Sequence, residues 1–334
     1  MRPYETWRYY TAMFSPIGEL YTNLDAPLTR WLVETGAITE FVLVDVGVRG
    51  GVHPHWLGLG KALRIYGFDL FPDAIDPLPK NKQSHYFLMA LGEKDGEIEV
   101  VNDTWGTMMY GGTPPGRKAE KVQVRKLDTL FNSGIVPRAD FIKLDCEGFE
   151  RYVFDGATEY LNACNLLGAD AESGFSVSFP NPDSHFTHCQ MPLTRQRLVV
   201  GDIQMSRVDE KSYIVAAGGE PHPLNVRRPG TINTLFVRDL KGERDSPASY
   251  AYRAPEPSPS VETILKTIVV LELYCMIGCA FELLTQFKDR LHKEIDTAKV
   301  AGLLVPLVQN SASTMPQDVT TGERVRRLIR RVTG

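Results

Sequence analysis

Four short apolar runs in this chain each close on an acidic residue, and this repeated pattern restricts the fold more than any other feature. They are residues 41–47 (FVLVDVG), 64–70 (RIYGFDL), 139–145 (ADFIKLD) and 165–172 (NLLGADAE). Short runs of β-branched and aromatic residues without alternation read as strands buried on both faces. A helical pattern follows the third run: Phe149, Tyr152, Val153 and Leu161 share one face of a helix predicted over 148–161. Strands at 85–90, 97–101, 212–217 and 233–238 complete the expected set. Strands alternating with helices predict an α/β fold, a mostly parallel sheet with helices on both faces. Ligands of such sheets bind at the carboxyl ends of the strands. Here those ends carry Asp45, Asp69, Asp145 and Glu172.

The turn after the first strand reads D-V-G-V-R-G-G, residues 45–51. Gly47, Gly50 and Gly51 let backbone pass close to a ligand, and a glycine turn between strand and helix is a common nucleotide cradle. The spacing is not that of the dinucleotide fingerprint G-x-G-x-x-G, and no G-K-[ST] follows to make a phosphate loop. Asp69 ends the second strand, 22 residues after Gly47. An acid there can accept both ribose hydroxyls. Glycine turn and acid together point to an adenosine-bearing ligand; ordinary turn chemistry is the alternative.

Four segments carry a family resemblance: VDVGVRGG at 44–51, YGFDLFPDAI at 66–75, ALGEKDGEIEV at 90–100, and VRKLDTLF with ADFIKLDCEGFERYVFDGA between 124 and 157. In this order they resemble the FkbM-type S-adenosylmethionine-dependent methyltransferases. The most specific piece is the strand ending K-[IL]-D-x-E-G before a helix that closes on Gly156-Ala157. The resemblance spans roughly residues 41–240. It implies a Rossmann-like methyltransferase sheet and S-adenosylmethionine as cofactor. Gly47 and Gly51 would approach the methionine portion, Asp45 would fix the turn or the amino group, Asp69 would hold the ribose, and Ala90 and Leu91 would lie beside the adenine. The expected reaction is O-methylation of a sugar, glycan or natural-product hydroxyl. Three features depart from the family pattern: Asp69 stands where glutamate is usual, Cys146 replaces an apolar residue, and the segment after Glu172 has its own His- and Pro-rich loop, so the substrate's identity does not carry over.

An alcohol acceptor must lose its proton at or before methyl transfer. Asp145, Glu147, Glu172, His185 and His188 are the candidates. Histidine has the suitable unperturbed pKa, whereas a carboxylate needs burial or a metal beside it. The expectation is that Asp145 and Glu147 organise the reacting centre and that His185 or His188 is the base. His185-x-x-His188-Cys189 lacks the further ligands of a zinc site, so no metal site is assigned; magnesium on carboxylates stays open. His53 and His55, after the glycine turn, are placed either at the cofactor mouth or on the surface. Two other readings remain: an NAD-dependent oxidoreductase, which the glycine spacing disfavours, and a non-catalytic cofactor-binding scaffold.

The expected organisation is a helical lead-in over 1–40, the methyltransferase domain over 41–240, a Pro/Ser-rich linker over 241–260 and a helical appendage over 261–334. Leu28, Trp31, Leu32 and Val33 recur at helical spacing, with Gly36 as the stop. Helices are predicted over 261–287 and 288–304. The first is apolar on more than one face, so it packs on its own chain or on a partner, for example as a homodimer through 261–304. Arg324, Arg326, Arg327, Arg330 and Arg331 mark a basic terminal helix. The net charge of −4 argues against a nucleic-acid partner and leaves a small-molecule or glycan substrate. Residues 267–281 are interrupted by Glu272 and fall short of the roughly 20 residues of a membrane span. Five unpatterned cysteines and an N-terminus without a signal-peptide core suggest a cytoplasmic protein.

Overall fold

The computed structural model describes residues 26–79, 81–101, 119–174, 185–208, 228–241 and 258–312. They fall into two compact units. One holds described residues within 43–51 and 65–236. The other holds 26–42, 52–64 and those from 237 onward.

The first unit is built on a sheet. Among the described residues its strands are β1 (Phe41–Val46), β2 (Leu63–Asp69), β3 (Ser84–Leu88), β7 (Phe141–Leu144), β8 (Gly168–Gly174), β9 (Leu198–Val208) and β10 (Arg228–Arg238). Their order is β3-β2-β1-β7-β8-β10-β9. The pairs β2–β3, β1–β7 and β7–β8 are parallel. All six residues of β1 are buried, as its unbroken apolar run predicts, and this includes Asp45. A smaller sheet, β4 (Ala90–Leu91), β6 (Ala119–Arg125) and β5 (Gly96–Val101), pairs β6 parallel to β4 and antiparallel to β5. The strand expected at 233–238 is the end of β10; the one expected at 212–217 lies outside the described residues.

The helices, in chain order, are α1 (Pro27–Glu34), a 3-10 helix (Pro54–Ala62), α2 (Pro72–Ile75), α3 (Leu127–Asn132), α4 (Glu150–Asp155), α5 (Thr158–Ala163), α6 (Phe186–Arg195), α7 (Val261–Leu273), α8 (Ile277–Gln286), α9 (Lys288–Leu291) and α10 (Thr297–Ala312). The single helix predicted over 148–161 is thus two, α4 and α5. The break falls at Gly156, where a Cβ would stand 2.0 Å from the Gly92 carbonyl oxygen. Asp128 N donates to the Gly156 carbonyl there. Backbone-to-backbone approach ends the helix, and periodicity alone does not reveal it.

The second unit is helical. In it α7 packs on α1 and α8, and α10 packs on α1 and α8. Gly36 adopts φ +76° two residues after α1, as its stop role predicts. The helix predicted over 261–287 breaks at 274–276, where Cys275 takes φ +57°. The one predicted over 288–304 is α9 and part of α10. Every side chain of α7 from Ile264 to Leu273 is buried by the chain itself, which accounts for its apolar faces without a partner. Glu272 is fully buried in this run. Its carboxylate accepts from Leu28 N (2.9 Å), Thr29 N (2.7 Å) and Thr29 Oγ1 (2.6 Å). It therefore caps α1, whose own N-cap position is Ala26 and supplies no oxygen. No helix of the described residues is long and apolar enough to cross a membrane. Most of the lead-in (1–25), most of the linker (242–257) and the arginine cluster at 324–331 lie outside the described residues.

Candidate active site

The sheet order reverses direction between β1 and β7: β2 and β3 follow to one side of β1, β7 and β8 to the other. Ligands of open α/β sheets bind at such a reversal, beyond the carboxyl ends of the strands. The two ends are Gly47 and Asp145. Asp145 N donates to the Val46 carbonyl at 3.0 Å, while Gly47 N and Val48 N donate to Phe68 O at 2.9 and 3.2 Å. The turn is thus tied to both neighbouring strands. Gly47 has φ +82°, and a Cβ on it would lie 1.8 Å from the Asp145 carbonyl oxygen. Glycine is required here by β7 as well as by any ligand. Gly51 has φ +93° and no such crowding; only Leu78 comes near, at 3.5 Å.

Asp45 and Lys143 are paired in register across β1 and β7. The Lys143 ammonium lies 3.4 Å from Asp45 Oδ1, 3.4 Å from Asp145 Oδ2 and 3.0 Å from the Gly47 carbonyl oxygen. The Asp45 contact is ionic without hydrogen-bond alignment, so Asp45 Oδ1 is a buried oxygen with no hydrogen bond. Burial raises the Asp45 carboxyl to about 6, with Lys143 pulling against the rise. For Lys143 burial alone would favour the neutral amine, but Asp145, Asp45 and Asp170 outweigh it and raise its pKa. The lysine is a cation at any physiological pH.

Asp69 is buried at the end of β2. Its Oδ1 accepts from Leu70 N at 2.7 Å and Phe71 N at 3.3 Å. Oδ2 carries neither bond and is the oxygen left for a ligand. Burial raises this carboxyl too, against those two backbone bonds and the charges of Arg49 and Lys143. Ala90 and Leu91 are both buried. The Ala90 methyl packs in a core with Phe71, Ala74, Val100, Val124 and Phe149.

Beyond β7 the segment Asp145-Cys146-Glu147-Gly148 turns sharply. Glu147 has φ +55° and Gly148 φ +96°. A non-glycine residue in that region costs on the order of 1–2 kcal/mol and persists only where its surroundings hold it. Glu150, fully buried, does the holding: its Oε1 accepts from Cys146 N at 3.0 Å and Gly148 N at 3.4 Å. The sequence reading missed Glu150; its signal was a second acid three residues after Glu147. Burial, then the charges of Glu150 and Asp145, raise the Cys146 thiol well above its ordinary value. It is no thiolate nucleophile.

Asp145, Glu147 and Glu172 come together, all half-buried, with one oxygen of each within 4.8 Å of the others. Burial pushes the Glu172 carboxyl far up, helped by the charges of Asp145, Glu150 and Glu147 and by a hydrogen bond with Asp145. Burial thus favours the protonated form of Glu172, beside Asp145. An all-oxygen trio at this separation fits one hard divalent cation or one shared proton equally well.

The histidines are placed differently. His185 is the N-cap of α6, its Nδ1 3.0 Å from Thr187 Oγ1 and 3.4 Å from Thr187 N. His188 lies on the first turn of α6, ring centroid 6.4 Å from that of His185. The charges that act most strongly on Glu172 are carboxylates, not these rings. His53 caps the 3-10 helix and His55 is buried in the helical unit, its ring 4.7 Å from Trp56 and 4.8 Å from Tyr274. His55 is thus neither surface nor mouth: an aromatic core takes it, and burial lowers its pKa far below the ordinary value.

Residues 64–187 match the family model of the methyltransferase FkbM domain. The match covers this stretch alone, and the rest of the chain lies outside it. The matched stretch holds Asp69, the Asp145–Glu150 turn and Glu172, while the glycine turn lies just before it. No curated protein matches the chain in sequence. Among solved structures the chain is similar to magnesium protoporphyrin IX methyltransferase from Synechocystis PCC 6803 with bound SAM (9% identity, TM-score 0.31, 71% of this chain and 97% of that one). It is also similar to the N-methyltransferase NodS from Bradyrhizobium japonicum WM9 in complex with S-adenosyl-l-homocysteine (10% identity, TM-score 0.31, 71% and 99%). A TehB-like SAM-dependent methyltransferase from Corynebacterium glutamicum aligns over 70% of this chain and 95% of its own (13% identity, TM-score 0.29). At these scores the fold rests on its own strand order.

Proposed function

We propose that the protein is an S-adenosylmethionine-dependent O-methyltransferase acting on a hydroxyl of a sugar, glycan or natural product. The observation that carries this reading is the gathering of Asp145, Glu147 and Glu172, one oxygen of each within 4.8 Å of the others. It stands beside a glycine turn at the reversal point of an FkbM-type sheet.

The residues present fit the cofactor. Asp45 keeps a buried oxygen without a hydrogen bond, and Asp69 keeps Oδ2 free of its own turn. Asp69 would take the ribose hydroxyls, the 47–51 turn would pass along the methionine portion, and Asp45 would fix that turn. Ala90 and Leu91, with buried side chains, would meet an adenine through their backbone. When bound, the cofactor supplies a methyl group already activated on a sulfonium.

Asp145 is the acid of the trio best placed to receive the acceptor's proton: its side chain is 38% exposed and faces Lys143. Glu172, whose burial favours its protonated form, stands beside Asp145 and orients it, and the strained Glu147 turn sets the angle at which both are presented. Aligning acceptor with donor in this way supplies several kcal/mol of the barrier. His185 and His188 act, in this reading, on α6 at the substrate side and not as the base.

Calorimetric titration with S-adenosylhomocysteine, beside NAD, tests the cofactor. Saturable binding of the former that fails in Asp69→Ala supports the reading, and binding of NAD alone refutes it. Product mass over a panel of glycan and polyketide alcohols then tests the reaction, with Asp145→Asn expected to bind cofactor and lose turnover at least about 100-fold. The same assay run with chelator decides whether magnesium sits on the trio. A homodimer through 261–304 is tested by sedimentation equilibrium of the full chain.

A further inference from the structure

The hallmark K-[IL]-D-x-E-G also contains a buried lysine, Lys143. Lys143 lies midway in a row of charges across three strands: Asp45 on β1 and Asp170 on β8 are its register partners. Its side chain is 14% exposed. A buried ammonium has three N–H donors to place. Here the three oxygens around it belong to Gly47, Asp45 and Asp145, at 3.0, 3.4 and 3.4 Å. Two belong to the strand and turn before the sheet's reversal point, and the third to the strand after it.

We propose that Lys143 is a positioning residue that clamps the glycine turn to the end of β7, so that the cofactor cradle and Asp145 are held at one fixed separation. This rests on the cofactor reading above. The clamp is needed because Gly47 and Asp145 meet backbone to backbone with no side chain between them. The ordinary filling that locks two strand ends is absent, and an ion contact on each side takes its place. Without the cation, Asp45 and Asp145 are two acids facing one small space, and Asp45 has no other hydrogen bond on Oδ1. Breaking a buried pair by removing one partner leaves an uncompensated charge, whereas removing both is tolerated far better.

The test is a double-mutant cycle on the full chain with Lys143→Met, Asp45→Asn and the pair combined, read in two ways. Urea unfolding at pH 7.5 reads the clamp without any ligand. Lys143→Met lowers the midpoint, and adding Asp45→Asn recovers most of the loss. The double variant, which leaves no charge on Asp45 and only the part-exposed Asp145 without its cation, also guards against a single variant that fails to fold. S-Adenosylhomocysteine affinity, measured where all variants are folded, reads the positioning. Lys143→Met weakens binding about tenfold, and the Lys143→Met and Asp45→Asn substitutions are non-additive. A purely structural lysine would move the urea midpoint and leave the affinity cycle additive, which overturns the proposal. If the wild-type chain binds no S-adenosylhomocysteine, the cofactor reading falls. The urea cycle then judges the clamp alone, and additive midpoints would overturn that as well.

Discussion

Replacing Asp45 by asparagine should change how the stability of the sheet unit depends on pH. The aspartate is fully enclosed in β1, and burial raises its carboxyl from 3.8 in the unfolded chain to about 6 in the folded one. A carboxyl raised on folding favours the fold while protonated. Its contribution is complete below about pH 3.8 and is lost as pH climbs through about 6. The shift of about two pKa units, at about 1.4 kcal/mol each, is about 3 kcal/mol. Asparagine has nearly the same shape and does not ionise. The difference in unfolding free energy, variant minus wild type, should therefore rise by about 3 kcal/mol between pH 4 and pH 7.5. Other buried acids, such as Asp69, Glu172 and Glu272, are raised as well. They are common to both chains and cancel in the difference. Urea unfolding followed by far-ultraviolet circular dichroism, without cofactor and at constant ionic strength, measures it. Equal slopes with urea would show that both chains expose the same surface. Curves that stay parallel across this pH range would refute the reasoning, because Asp45 would then be ionised in the fold at no cost.

Gly47→Ala puts a methyl group 1.8 Å from the Asp145 oxygen at a positive φ. A loss of about 3–5 kcal/mol in urea unfolding is expected, and a loss under 1 kcal/mol would mean the strand ends are further apart. Glu150→Leu strips the acceptor from two amides of the 146–148 turn. It should lower stability by about 2–4 kcal/mol and slow methyl transfer even in folded protein, measured by thermal melting and product mass. Glu272→Gln keeps one acceptor oxygen for three donors at the start of α1. A cost of about 1–3 kcal/mol is expected, with faster amide exchange at Leu28 and Thr29; unchanged exchange there would deny the cap.

What could be read along the chain is what neighbours in sequence control. Strand runs reaching Asp45, Asp69 and Asp145 were legible because a buried parallel strand needs an uninterrupted apolar run and its end needs polar turn residues; the run read as ending in Glu172 continues to Gly174. The glycine turn and the stop at Gly36 were legible because positive φ selects glycine whatever surrounds it. That Asp145 and Glu172 share one edge of the sheet was legible because parallel strands bring their carboxyl ends together; that Glu147 joins them and the two histidines do not was decided by the 145–148 turn.

The tertiary structure decided the rest, because each remaining feature depends on a contact between distant positions. Gly47 is glycine in part because β7, almost a hundred residues later, passes against it. The helix after Gly148 stops at Gly156 because Gly92 lies there. Glu272 in a helix interior looked like an interruption; it is the missing cap of a helix 243 residues earlier. His55 was left between mouth and surface, and an aromatic core took it. Periodicity and spacing report the local dihedrals and the buried face of one element. They carry no term for which polar atom of another element will stand within 3 Å, and that distance is what turned Lys143 and Glu150 from ordinary residues into parts of the site.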